Sequence, residues 1–88
     1  MPARRHELVL PDLGMGDVPV AASVWLVEMG AAVTEGDRLL EVVAGSATVD
    51  LPSPASGTLS EVLVSEDEPL EIGQILAIVL ADEDDESS

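Results

Sequence analysis

The sequence predicts an all-β fold, a flattened barrel or sandwich of two antiparallel sheets related by a pseudo-twofold axis. Three observations predict it. The apolar residues, 47% of the chain, fall in short runs rich in Val, Leu and Ile, which favour strands. Clusters of turn-forming residues separate these runs at the regular spacing typical of sandwiches and barrels. Finally, a shift of 37 positions aligns one half of the sequence with the other.

The strands follow one another with little sign of helix. We expect six of them, over residues 7–10, 21–28, 39–43, 48–51, 59–64 and 75–80. The breaks between them are a loop at 11–17, a turn region at 30–37, a tight connection at 44–47, a segment at 52–57 and an acidic turn at 66–69. The two prolines of the segment 52–57 place it outside the sheets, because proline cannot donate a ladder hydrogen bond.

The internal repeat supports a twofold arrangement. The run Val33-Thr34-Glu35-Gly36 falls on Leu70-Glu71-Ile72-Gly73, and apolar positions around it match as well, Leu26 with Leu63, Leu39 with Leu76 and Val43 with Leu80. Chance similarity between two hairpins is the alternative, but the matched glycines favour a genuine repeat, because both copies then need a positive φ at one turn position. Each half would form a sheet with one apolar face, and the two faces would bury each other.

The charge of the chain narrows the choice of partner. The formal net charge is −15, and the basic residues are Arg4, Arg5 and Arg38. Three arginines cannot neutralise a phosphate backbone, so we expect neither nucleic acid nor an anionic membrane as a partner. A protein with a basic surface is favoured instead. Removing the five carboxylates of residues 82–86 changes the net charge only from −15 to −10, so the body of the domain is acidic too.

The predicted organisation is one domain at 7–81, an N-terminal extension at 1–6 and an acidic tail or linker start at 82–88. The chain has no cysteine, which removes disulfides and thiolate metal sites. The longest apolar run, residues 75–81, is far shorter than the roughly 20 residues that span a bilayer. No signal peptide is evident either, so we expect a cytoplasmic domain.

The centre of the chain resembles a known family. The run at 47–57, Ala-Thr-Val-Asp-Leu-Pro-Ser-Pro-Ala-Ser-Gly, is similar to the hairpin region of the lipoyl domains in acyltransferase components of 2-oxo acid dehydrogenase complexes, members of the biotinyl/lipoyl attachment family. Segments 10–14, 25–30 and 33–37 also resemble this family. The resemblance covers residues 7–81 and implies the lipoyl/biotinyl hybrid barrel, with 44–47 at an exposed hairpin tip.

The chain departs from the family at the residue that carries the cofactor. The lysine that would bear lipoate aligns with Ser46, flanked by Gly45 and Ala47, and the 88 residues contain no lysine. The carrier chemistry needs an amine that forms an amide, whereas a serine would give a labile ester. The resemblance therefore implies that Ser46 is unmodified and that no cofactor is bound. Lipoate is expected only after Ser46→Lys, and we expect Gly45→Asp to favour that modification further.

Two further departures lie in loops. Gly14, Met15 and Gly16 form the loop that the resemblance implies faces a partner enzyme, and Met15 stands where many lipoyl domains carry a Glu. Asp67 replaces a glycine expected in the second turn, a change that Asp tolerates because it enters the left-handed region more readily than most residues.

No set of residues in the sequence predicts an enzyme. A Ser–His–Asp site would have to combine Ser46, Asp50 and the lone His6, and His6 is expected to be solvated in a frayed terminus. Carboxylates at Glu66, Glu68 and their neighbours are expected to form a solvated face rather than a metal site. Trp25 is expected at a half-buried strand position. We therefore expect neither catalytic nor metal-binding residues.

Three hypotheses of function remain. The first is a lipoyl-like domain of an acyltransferase component that lacks its attachment lysine and serves in docking or spacing, with the decarboxylase or another component of the complex as partner. The second is a working carrier domain in which the lysine has been replaced by engineering. The third is a free-standing barrel adaptor that acts as a binding module.

Overall fold

The computed structural model describes residues 3–82, and none of these is helical. Accordingly, the described part of the chain offers no helix that could cross a membrane. Within residues 3–82 there are eight strands: β1 (Ala3–Val9), β2 (Val20–Trp25), β3 (Ala32–Val33), β4 (Arg38–Ala44), β5 (Ala47–Pro52), β6 (Gly57–Val62), β7 (Pro69–Leu70) and β8 (Ile75–Asp82). They pair in two antiparallel sheets of four strands, in the orders β1-β8-β6-β3 and β5-β4-β2-β7.

The pseudo-twofold predicted from the sequence is confirmed by the strand order. Strands β2, β3 and β4 lie in one copy of the repeat, and β6, β7 and β8 start 37 residues later in the other. Exchanging the members of each pair, together with β1 and β5, converts one sheet order into the other. Even the irregularities repeat, because the β-bulge after Ala22 in β2 has its counterpart after Leu59 in β6.

Hydrogen bonds between the halves repeat in the same way. The amide of Gly30 donates to the carbonyl of Leu59 at 2.7 Å, and the amide of Asp67 donates to the carbonyl of Ala22 at 2.7 Å. Both donors have positive φ, 94° for Gly30 and 71° for Asp67. The expectation that Asp67 takes the place of a left-handed glycine is therefore confirmed.

The apolar core lies between the two sheets. Inward-facing leucines from both halves are fully buried there, Leu39 and Leu76 with no exposed surface at all. Other members of the same cluster are Leu10, Leu40, Val42, Leu51, Leu59, Ala77 and Val79. Burial of one apolar face per sheet is the packing that the repeat predicted.

Several details differ from the sequence-based expectations. Strand β1 begins at Ala3 rather than at residue 7, because it pairs along its length with β8, Ala3 opposite Asp82 and His6 opposite Val79. Residues 3–6 thus belong to the sheet, and His6 is half-buried in it rather than solvated in a frayed end. The short strands β3 and β7 contain residues placed in turns.

The segment 52–57 is not wholly outside the sheets, contrary to the expectation, because Pro52 ends β5 and Gly57 begins β6. Proline is tolerated there since β5 is an edge strand. Strand β2 ends at Trp25 rather than at residue 28, and β6 ends at Val62 rather than at residue 64. Residues 83–88 of the expected tail lie outside the described residues.

One connection breaks the symmetry. The link from β1 to β2 runs over residues 10–19, whereas the equivalent link from β5 to β6 runs over residues 53–56, six residues fewer. The longer link passes beside the connection between β4 and β5. This is where the halves of the molecule differ most, and it is the region of the candidate site.

Candidate functional site

The tip of the domain is a two-residue turn. Ala44 and Ala47 are the last paired residues of β4 and β5, which leaves Gly45 and Ser46 as the central residues of the hairpin, both exposed. Gly45 has a φ of 62°, and Ser46 is not among the described residues with positive φ. A glycine with positive φ at the first central position alone is the pattern of a type II′ turn, whose twist matches that of the paired strands.

The long link from β1 to β2 supports this tip. The amide of Gly45 donates a hydrogen bond to the carbonyl of Pro19 at 3.2 Å. A Cβ added at Gly45 would lie 2.7 Å from Cγ1 of Val18. The expected benefit of Gly45→Asp stays a prediction, and on this backbone an Asp would have to adopt a positive φ and displace the side chain of Val18.

The residues of a hypothetical catalytic triad are not brought together. Ser46 lies in the turn between β4 and β5, whereas His6 lies in β1 of the other sheet, opposite Val79. The carboxylate of Asp50 accepts a hydrogen bond from the guanidinium of Arg38 at 3.2 Å. These three side chains therefore lie on different elements, and no side-chain hydrogen bond joins them within residues 3–82.

Two carboxylates of the acidic turn accept hydrogen bonds from backbone amides. Glu66 Oε2 accepts a hydrogen bond from the amide of Trp25 at 3.0 Å, and Glu68 Oε1 accepts one from the amide of Ser65 at 2.9 Å. The indole of half-buried Trp25 donates to the carbonyl of Val64 at 3.1 Å. The position predicted for Trp25 is confirmed, and these contacts fasten β2 to the turn before β7.

The glycine-rich loop is shaped by its own local contacts. Gly14 and Gly16 have φ values of 74° and 69°, and the amide of Gly14 donates to Oδ1 of Asp12 at 2.8 Å. This Asx-type contact is a common way for Asp to fix a turn. Met15, between the two glycines, has 37% of its surface exposed.

A cavity of about 300 Å³ separates this loop from the turn after β7. Its walls come from both regions, and one of its residues, Val18, also touches the hairpin tip. Sequence reasoning identified the tip and the loop but not the cavity between them. The lining residues are Asp12, Leu13, Met15, Gly16, Asp17, Val18, Val20, Leu70, Glu71 and Ile72.

Residues 53–57, within the run that most resembles the family, have a structural role. Ser53 is 3% exposed, and its hydroxyl donates to the carbonyl of Ala55 at 2.6 Å. A Cβ at Gly57 would overlap the carbonyl oxygen of Leu80, so β6 can approach β8 only through a glycine here. The spacing of these residues is therefore dictated by the packing of β6 against β8 rather than by chemistry at the tip.

Two four-stranded sheets in pseudo-twofold relation, with a two-residue hairpin tip exposed, define the class of attachment domains of the biotinyl and lipoyl type. A family model described as "Biotin-requiring enzyme" matches residues 6–79. The chain belongs to this biotinyl/lipoyl attachment family.

Curated relatives place the chain near one branch of that family. It is 35% identical over 80 residues to the dihydrolipoyllysine-residue acetyltransferase component of the pyruvate dehydrogenase complex of Staphylococcus epidermidis, a match that covers 91% of this chain and 18% of the relative. The corresponding component of Staphylococcus aureus is 37% identical over 70 residues, which covers 80% of this chain and 16% of the relative. The chain thus spans less than a fifth of the length of these relatives.

Proposed function

We propose that this domain is a lipoyl-type domain without lipoate, which serves in docking or spacing within a 2-oxo acid dehydrogenase complex as part of an acyltransferase component. The observation that carries the proposal is the residue at the tip. Ser46 occupies the second central position of the exposed turn between β4 and β5, and the 88 residues include no lysine that could replace it.

Chemistry explains why a serine does not serve as a carrier there. A lysine amine forms a stable amide with the carboxyl of lipoate or biotin, whereas a serine hydroxyl is a weak nucleophile and yields a labile ester. Within residues 3–82, His6 pairs with Val79 in the other sheet and Asp50 accepts a hydrogen bond from Arg38, so no activating base is assigned to Ser46. We therefore assign the domain no cofactor, no metal and no catalytic residue of its own.

Docking is supported by the charge of the domain and by its loop. A net charge of −15 with three basic residues attracts a partner with a basic surface over a distance of about one Debye length. The loop of Gly14, Met15 and Gly16 is exposed beside the tip and is the surface we assign to that partner, the decarboxylase or another component of the complex. A cytoplasmic location, without nucleic acid or membrane, belongs to the same proposal.

Restoring the lysine tests the proposal. The Ser46→Lys variant is incubated with a lipoyl ligase, ATP and lipoate, and its intact mass is followed. Because the second position of a type II′ turn accepts a side chain without strain, we expect Ser46→Lys to gain one lipoyl group. The matched control is Thr48→Lys, which places an amine on the exposed face of β5 two residues away and is expected to stay unmodified.

Two results would contradict the proposal. Lipoylation of the unchanged domain under these conditions would show that a residue other than lysine carries the cofactor. A folded Ser46→Lys variant that remains unmodified would show that the tip differs from a carrier tip in shape as well as in chemistry, and the domain would then be better explained as an adaptor.

A further inference from the structure

The cavity beside the tip arises from the one connection that breaks the pseudo-twofold. Residues 10–19 form one wall, and they outnumber the equivalent residues 53–56 by six. The opposite wall comes from Leu70, Glu71 and Ile72 at the end of β7. The six extra residues of the link over 10–19 thus form one side of a concave surface. The equivalent link over 53–56 is too short to form a similar wall.

The apolar part of this cavity exceeds what the fold requires. Leu70 is 7% exposed and belongs to the core, but Ile72 and Met15 are 57% and 37% exposed. The pseudo-twofold equivalent of Ile72 is Glu35, at the same position before a left-handed glycine. Because the fold accommodates a charged residue at that turn position, the exposed Ile72 is not needed for folding.

The rim of the cavity is acidic. Asp12, Asp17 and Glu71 are exposed carboxylates among the lining residues, and no described residue of the lining is basic. Arg38 pairs with Asp50 at 3.2 Å, and neither of these residues lines the cavity. An apolar floor with a negative rim is complementary to a ligand that is apolar along its length and cationic at its end.

We propose that this cavity receives a single arginine side chain from the docking partner. The aliphatic stem would contact Met15 and Ile72, and the guanidinium would lie against the carboxylates of Asp17 and Glu71. Long cationic side chains bury their stems in this way while the charged group stays at the polar rim. A volume of about 300 Å³ is at the lower end of ligand pockets and is large enough for one arginine side chain.

Arginine is favoured over other side chains for two reasons. Its planar guanidinium can face two carboxylates at once, and arginine is enriched at the centres of protein interfaces. The inference rests on the proposed docking function, but it concerns residues that the lipoylation test does not touch. The failure of either proposal can therefore be distinguished from failure of the other.

The test uses N-acetyl-arginine amide as the probe, with N-acetyl-citrulline amide as its neutral isostere. Each compound is titrated into the isotopically labelled 88-residue domain, and the backbone amide shifts are followed at low and high salt. We expect saturable shifts at Gly14, Gly16 and Ile72, and binding of the arginine probe about two- to fivefold tighter than that of the citrulline probe at low salt. High salt should reduce this difference.

Three variants separate the parts of the cavity. Asp17→Asn should remove most of the preference for arginine over citrulline, and Ile72→Gln should weaken both probes. Glu35→Gln is the control, because it removes one negative charge at the pseudo-twofold equivalent of Ile72 and should leave the preference unchanged. Absence of saturable shifts at the cavity, equal binding of the two probes, or an equal effect of Glu35→Gln and Asp17→Asn would each overturn the proposal.

Discussion

The link from β1 to β2 and the link from β5 to β6 are related by the pseudo-twofold, and each joins an edge strand to a central strand of the other sheet. They differ in length and in burial. The link over residues 53–56 is short and largely buried, and within it the hydroxyl of Ser53 donates a hydrogen bond to the carbonyl of Ala55. The link over residues 10–19 is longer and, apart from buried Leu10, largely exposed, and it borders both the tip and the cavity. The first link has a sequence that the packing dictates, so it carries the clearest family resemblance. The second is freer to vary, which is typical of loops that determine specificity.

We expect the largest loss of stability from a substitution at Gly57, where β6 begins directly after the short link. Gly57→Ala places a methyl group on the carbonyl of Leu80, and backbone on both sides cannot easily relax. We expect a loss of more than about 3 kcal/mol in the free energy of unfolding, at or above the upper end of overpacking costs. Urea unfolding measures it.

Gly14→Ala in the long link is the control for that change. An added Cβ meets no atom within 4 Å at Gly14, although the φ of 74° favours glycine. The expected cost is about 1–2 kcal/mol, the penalty of a left-handed residue. Equal losses for the two variants would remove the contrast between a packed link and a free one.

Core positions related by the pseudo-twofold should behave alike. Leu39 and Leu76 are both 0% exposed, so each leucine-to-alanine change should cost about 2–5 kcal/mol. The exposed pair Leu26 and Leu63, at 44% and 49%, should each cost less than about 1 kcal/mol. Denaturant unfolding in which Leu39→Ala and Leu76→Ala differ by more than a factor of two would show that the halves are not equivalent in packing.

A smaller effect distinguishes two serines of the short link. Ser53→Ala removes a buried hydroxyl that donates to the carbonyl of Ala55, and we expect a cost of about 1–3 kcal/mol. The hydroxyl of exposed Ser56 accepts a hydrogen bond from the amide of Glu35 at 2.9 Å, and water can replace it, so Ser56→Ala should cost about 1 kcal/mol or less. A larger loss for Ser56→Ala in thermal unfolding would contradict the assignment of Ser53 as the main hydrogen-bonding residue of the link.

The sequence was informative wherever structure is local or repeated. The shift of 37 residues predicted the symmetry and the match of Leu39 with Leu76, and the family resemblance predicted the left-handed turn at Asp67. Strands β3 and β7 escaped notice because two residues are too few to show periodicity. The start of β1 at Ala3 depends on pairing with β8, which is distant in the sequence.

At the candidate site, the position of the tip was predictable but its surroundings were not. A glycine before Ser46 in a short connection indicates a hairpin turn. The contact between Gly45 and Val18 joins residues from different strand connections, so no local pattern reveals it. The cavity likewise depends on how residues 10–19 pack against Leu70 and Ile72, a tertiary arrangement that composition does not encode.

The account depends most on the claim that the exposed tip carries no cofactor. The direct measurement is the intact mass of the protein isolated from the cells that make it, followed by peptide mapping of the segment that contains Ser46. Because the 88 residues hold no lysine, we expect the mass of the unmodified chain and an unmodified Ser46. A lipoyl or biotinyl increment mapped to any residue within the domain would contradict the account.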